Sequence, residues 1–267
     1  MVSGWSILGM FVTMLVPIGV FIGLLIFFLI RYKVGMKPIL IGAGIFLVFA
    51  LVLEGLLNRF LLKWDSATAT FFKNQLALAV YGALTASIFE EVGRLIGFKF
   101  LLKKKREWKH GVAYGLGHGG LEVIFVGGML ALAQINNVIL SFMINNGTLG
   151  TLQKTLERIP TQADILKHTR QQLVNLPSWA FFMGGLERVD ALLIQIALSV
   201  LVLYAVIQRR YIVFLLAIFL HAAVDFTGPF CKLVGVSLLP TEGIITLYAV
   251  ASAGFVILHQ NGLMKVH

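Results

Sequence analysis

Seven apolar runs, each long enough to cross a bilayer, constrain this chain more than anything else in it. Crossing about 30 Å of hydrocarbon takes roughly 20 apolar residues as a helix. Such runs occupy about 6–30, 38–62, 76–102, 111–135, 180–207, 211–229 and 242–260. Of the 267 residues 58% are hydrophobic and only 13% charged, whereas a soluble domain carries about 25% charged residues. A soluble enzyme, a nucleic-acid-binding domain and a disordered chain are excluded. The predicted fold is all-α: a single polytopic transmembrane bundle of about seven spans over 1–267, embedded in lipid.

The formal net charge of +10 reads as topology rather than as nucleic-acid binding, because cytoplasmic loops collect Lys and Arg. The first run has no basic residue before it and is followed by Arg31 and Lys33, which suits an anchor rather than a cleaved signal. An outside N-terminus puts Arg31–Lys37, Lys103–His110, Arg209–Arg210 and the tail with Lys265 in the cytoplasm. Trp5, Trp64, Trp108 and Trp179 all fall at span ends, where indole rings prefer the headgroup level. The segment from about 136 to 179 is expected outside as a loop. Within it Leu149, Leu152, Leu156 and Ile159 carry the spacing of a surface helix. Cys231 is the only cysteine, so no internal disulfide forms.

Ionisable residues inside the spans point to function. Span three holds Glu90, Glu91 and Arg94; span four holds His118 and Glu122, with Tyr114 one turn earlier; span six holds His221 and Asp225. Five formal charges at central depth would cost about 12–18 kcal/mol if each stood alone. Pairing or a wet cavity must offset that. Counted at about 1.5 Å per residue from the basic span ends, Glu90 lies about 20 Å in, Glu122 about 18 Å and Asp225 about 22 Å. Glu90–Arg94, His118–Glu122 and His221–Asp225 are all i,i+4 pairs, so each pair shares one helical face. Three polar faces at one depth make a site.

A carboxylate beside a histidine, shielded from bulk water, can activate water against an amide carbonyl, and the histidine can hold that water or stabilise the oxyanion. Two histidines and a glutamate (His118, His221 and Glu122) would equally suit a divalent metal such as zinc. The residues leave metal-free and metal-dependent hydrolysis open. A proton- or ion-coupled transporter is the alternative, since midplane Glu, His and Asp also build proton relays. Glycines at 115, 117, 119, 120, 127 and 128 are read as close helix contacts. Glu54 is expected near the outer end of span two, reaching the interface or pairing with Arg59. Glu187, Arg188 and Asp190 are expected as a structural ion pair.

The three motifs Glu90-Glu91-Val92-Gly93-Arg94, Gly117-His118-Gly119-Gly120-Leu121-Glu122 and His221-Ala222-Ala223-Val224-Asp225 resemble those of the YhfC-type membrane peptidases of bacteria. These sit in the clan of the CAAX-type prenyl proteases and the PrsW-type intramembrane proteases. The two-residue gap before Arg94 and the His-x-x-x-Glu second motif look closer to the PrsW pattern, which argues against a prenylated substrate. The resemblance implies an intramembrane endopeptidase of the cell membrane acting on a membrane-associated peptide or protein. In it Glu90 or Glu91 would activate water, His118 and His221 would position it, and Arg94, Glu122 and Asp225 would complete the site. No cofactor is implied for a glutamic-type enzyme, and zinc for a metal-dependent one.

Overall fold

The computed structural model describes residues 1–156 and 159–260, and among these all regular structure is helical. Among the described residues, seven helices are long and apolar enough to cross a membrane: α1 Gly4–Arg31, α2 Met36–Trp64, α4 Gln75–Leu101, α5 Trp108–Asn145, α8 Ala180–Gln208, α9 Tyr211–Leu233 and α10 Leu238–Leu258. Three shorter ones connect them: α3 Ser66–Phe71, α6 Leu149–Leu156 and α7 Pro160–Asn175. All four tryptophans lie at or next to a helix end, as expected of interface anchors. The tail with Lys265 lies outside the described residues.

Two elements depart from expectation. The fourth membrane helix does not stop near 135 but continues to Asn145. Its extra turns absorb their own polar groups: Asn137 Nδ2 donates to Gln134 Oε1 at 3.1 Å, and Ser141 Oγ donates to the Asn137 carbonyl at 2.7 Å. At 38 residues the helix is about 57 Å long, more than the ~45 Å of a bilayer with its headgroups. The apolar stripe at 149–159 is also not one helix. Proline is disfavoured inside a helix but suits its first turn, and α7 begins at Pro160. Glu157 and Arg158, between α6 and α7, lie outside the described residues.

The chain divides into two compact units. One comprises Met1–Val20 and Val123–Val189, with Val2, Met10, Val138, Leu173 and Phe181 at its core. The other comprises Phe21–Glu122 and Asp190–His267, and Ile45, Phe98, Tyr114, Leu198, Val202 and Ala217 are among its core residues.

Within the second unit, missing side chains bring backbones together. A Cβ on Gly117 would lie 1.9 Å from the Ile39 carbonyl oxygen, and one on Gly42 2.1 Å from that of Tyr114, so α2 and α5 touch main chain to main chain. On α5, Gly115 and Gly119 do the same for α8: added Cβ atoms would lie 2.6 Å from Ile196 Cα and 2.9 Å from Gln195 Cβ. Small residues four apart allow this approach in a membrane, where dispersion and hydrogen bonds drive helix association. The expectation of close contacts therefore holds at 115, 117 and 119, and at Gly120, where an added Cβ would lie 2.0 Å from the Phe21 ring of α1. It does not hold at Gly128, which has nothing within 4 Å, nor at Gly127, where the nearest atom is 3.9 Å away on Val123 of the same helix.

α2 is not a uniform α-helix. Leu47–Glu54 and Phe60–Trp64 are π-helical, as is Gly97–Leu101 at the end of α4. π turns bond i to i+5 and are frequent at functional sites.

Candidate functional site

The site lies in the second unit and is built from four helices. From α4 come Glu90, Glu91 and Arg94, which share one face because i+3 and i+4 neighbours on a helix do. The Arg94 guanidinium reaches both carboxylates: Nη1 pairs with Glu91 Oε1, and Nη2 lies 3.3 Å from Glu90 Oε2. The sequence pairing of Arg94 with one glutamate is thus widened to two. Two carboxylates around one guanidinium lower the cost of burying all three.

His118 enters from α5. Its Nε2 lies 2.9 Å from Glu90 Oε2, and the Phe46 ring meets its imidazole edge-on at 5.1 Å between centroids. Tyr114, one turn earlier, stacks on the same ring at 6.2 Å. His221 enters from α9. Its Nδ1 lies 2.6 Å from Glu91 Oε1, and its Nε2 lies 3.9 Å from Glu90 Oε2 and 3.5 Å from Asp225 Oδ2. A carboxylate held against one imidazole nitrogen sets the ring's orientation and leaves the other nitrogen to act.

The fourth helix supplies a residue that sequence reasoning missed. Gln195 of α8 accepts from Arg94 Nη2 through Oε1, while its Nε2 donates to Glu90 Oε2 at 3.1 Å and to Glu122 Oε2 at 2.8 Å. An amide offers two N–H donors and a carbonyl acceptor, and all are in use here. Reversing the amide would set its oxygen against two carboxylates. The signal was available: counted from Arg209, Gln195 lies about 21 Å along its span, the depth of Glu90 and Glu122.

All seven residues of the sequence constellation are therefore brought together, with Glu122 joining through Gln195. The side chains of Glu91, Arg94 and His118 are 0% exposed, while Glu90 retains 9% and Asp225 35%. Several buried polar atoms at the site have no hydrogen-bond partner among the described residues: Glu91 Oε2, Arg94 Nε, His118 Nδ1 and the Tyr114 hydroxyl.

Glu54 is a correction. It does not stand apart at the end of α2. Its Oε1 accepts from Asn58 Nδ2 at 3.1 Å, and it lies within electrostatic range of Glu90, Asp225 and His221. The π segment contributes: its wider turns bring Glu54, five residues after Phe49, nearer to the face of Phe49 than an α-helix would. An ideal α-helix would place them about 140° apart. Phe49 packs against α4, where a Cβ on Gly93 would lie 2.9 Å from its ring. Farther along the chain, Glu187 and Arg188 form an ion pair, as expected. Asp190 accepts from Thr246 Oγ1 at 2.7 Å.

Among the described residues no group of three or more His, Cys, Asp or Glu side chains stands arranged to hold a metal ion. The donors are nevertheless of the kind zinc takes, imidazole nitrogen and carboxylate oxygen: His118 Nε2, Glu90 Oε2, His221 Nε2 and Asp225 Oδ2 follow one another at 2.9, 3.9 and 3.5 Å. Of the expected ligand set, Glu122 is turned toward Gln195, and the carboxylates beside the histidines are Glu90 and Asp225.

The model of the YhfC intramembrane metalloprotease family matches residues 12–252. The chain belongs to that family. It is 39% identical over 204 residues, 75% of each chain, to the uncharacterized membrane protein YhfC of Bacillus subtilis (strain 168). No solved structure matches. Seven membrane-length helices and a membrane-protein relative make it a multi-pass membrane protein.

Proposed function

We propose that the protein is an intramembrane endopeptidase in which Glu90 activates water against a peptide bond of a membrane-associated protein or peptide. One observation carries the reading. A single carboxylate oxygen, Glu90 Oε2, collects His118, Gln195 and Arg94 within 3.3 Å, yet its side chain keeps some exposure, while the adjacent Glu91 has none. Glu90 is the glutamate that a water and a substrate carbonyl can reach. Glu91 is the one that holds Arg94 and orients His221.

The division of labour follows. Glu90 takes the proton of the attacking water. His221, aimed by Glu91, presents Nε2 between Glu90 and Asp225; protonated, that nitrogen would donate to charge developing on the carbonyl oxygen, and unprotonated it would instead be free to hold a metal. Arg94 and Gln195 hold Glu90 and Glu122 in place. The family's metal would be held by His118, His221 and Asp225 with Glu90 beside it; when bound, such an ion polarises a carbonyl and acidifies water. We also infer an outside N-terminus and a cytoplasmic C-terminus, from the basic connections Arg31–Lys37, Lys103–His110 and Arg209–Arg210.

The test compares new protein N-termini in membranes of cells expressing the chain or its Glu90→Gln variant at equal level. N-termini that require Glu90 support the proposal and deliver substrates. Indistinguishable sets overturn it in favour of the transporter, to be followed by flux measurements. Metal dependence has its own readout. Purified protein is expected to carry stoichiometric zinc that is lost in His118→Ala and His221→Ala.

A further inference from the structure

The site is sealed on one flank and partly open on the other. Glu91, Arg94 and His118 are wholly buried, whereas Asp225 keeps a third of its side-chain surface. Near it lies a second polar group that the proposed chemistry does not use: Glu54 and Asn58 on α2 and Tyr81 on α4, each partly exposed. These three are ordered by directional hydrogen bonds. The Tyr81 hydroxyl donates to Asn58 Oδ1 at 2.6 Å, and Asn58 Nδ2 donates to Glu54 Oε1 at 3.1 Å. The tyrosine thus aims the amide, and the amide holds the carboxyl group. Glu54 is in turn within electrostatic range of Asp225, His221 and Glu90.

Helix adhesion alone does not account for this arrangement. The Tyr81–Asn58 bond already joins α2 to α4, and a carboxyl group at span depth is costly and marks a functional position by default. The π-helical turn that brings Glu54 nearer to the face of Phe49 is a further departure from the unstrained fold.

We propose that Asp225, Glu54, Asn58 and Tyr81 form the hydrated access to the site, binding the extended backbone of the polypeptide substrate as it approaches Glu90. The ligand class follows from the chemistry. A peptide unwound inside a membrane carries backbone N–H groups that lipid cannot satisfy, and Glu54 and Asp225 are carboxyl acceptors within electrostatic range of one another that can receive them. The inference rests on the protease reading of the same site, but its first test does not require turnover.

That test is thiol accessibility in a Cys231→Ala background, with the protein in lipid nanodiscs. Asn58→Cys and Tyr81→Cys are compared with Val52→Cys, a position 46% exposed on the apolar surface of α2. A charged, water-soluble methanethiosulfonate reacts with thiolate, which forms only where water reaches. Both access positions are expected to react at least about ten-fold faster than position 52. Rates equal to the position 52 control would overturn the proposal, whether or not Glu90 proves catalytic. Once a substrate is in hand, Glu54→Leu removes the charge and both acceptors without loading the span with a polar group. KM is expected to rise about ten-fold with kcat within about three-fold, the pattern of lost binding rather than lost chemistry. An unchanged KM would remove Glu54 from the binding role.

Discussion

The two units of this protein handle buried polarity in different ways. In the unit of Met1–Val20 and Val123–Val189, neutral hydrogen bonds join helices. Thr13 Oγ1 donates to the Phe181 carbonyl at 2.7 Å and accepts from Gly185 N at 3.2 Å. Asn145 closes a two-way bond with the Val2 main chain at 2.7 and 2.9 Å. The other unit buries Glu90, Glu91, Arg94, His118 and His221 around one another. Neutral links of the first kind contribute about 0.6–1.7 kcal/mol each in a membrane. Buried charges do not lower the free energy so readily, since their desolvation offsets much of the attraction. Helices can be joined without them, which is why the charged cluster of this unit is the one proposed to do chemistry.

The comparison can be broken most directly at Glu90. With purified enzyme and an identified substrate, Glu90→Gln is expected to lower kcat by about 10³–10⁴-fold, the upper range for a general base, while the protein still accumulates in the membrane. Retained turnover would move the base elsewhere. Next is Arg94→Leu, which leaves two glutamates without their guanidinium. A loss of about 3–5 kcal/mol of stability, the range for breaking a buried ion pair from one side, should appear as a marked fall in thermal or denaturant midpoint.

Glu91→Gln sharpens the contrast between neighbours. With Glu91 proposed to act through the His221 it holds, turnover should fall about 10–100-fold, the effect of removing an outer-shell carboxylate, with zinc content reduced in parallel. A loss as large as that of Glu90→Gln would show that the two share the role of base. The smallest effect belongs to the other unit. Thr13→Val should cost about 1 kcal/mol of stability and leave kcat and KM unchanged; a change in turnover would show that the neutral unit is not mere support.

Much of this arrangement was legible in the chain. Apolar runs mark the spans because only helices of that length satisfy their backbone in lipid. The i,i+4 spacing of Glu90–Arg94, His118–Glu122 and His221–Asp225 announced three polar faces because the helical period is local. Gln195 was legible by depth but not by type, since one neutral amide in an apolar run carries no signal of charge. The extension of α5 past Asn137 was hidden because asparagines read as loop residues until their side chains are seen bonded within the helix.

The sequence by itself determined the membrane-spanning helical class, the approximate spans and the residues able to do chemistry, because length, hydropathy and helical period act along the chain. Only the tertiary structure decided which partners those residues have. It divided Glu90 from Glu91, turned Glu122 to Gln195, and brought Glu54 to the site through a π turn. Those outcomes depend on how the backbones approach at Gly42, Gly115, Gly117 and Gly119 and on the π segment Leu47–Glu54 of α2. They are set by contacts between helices, which no local pattern encodes.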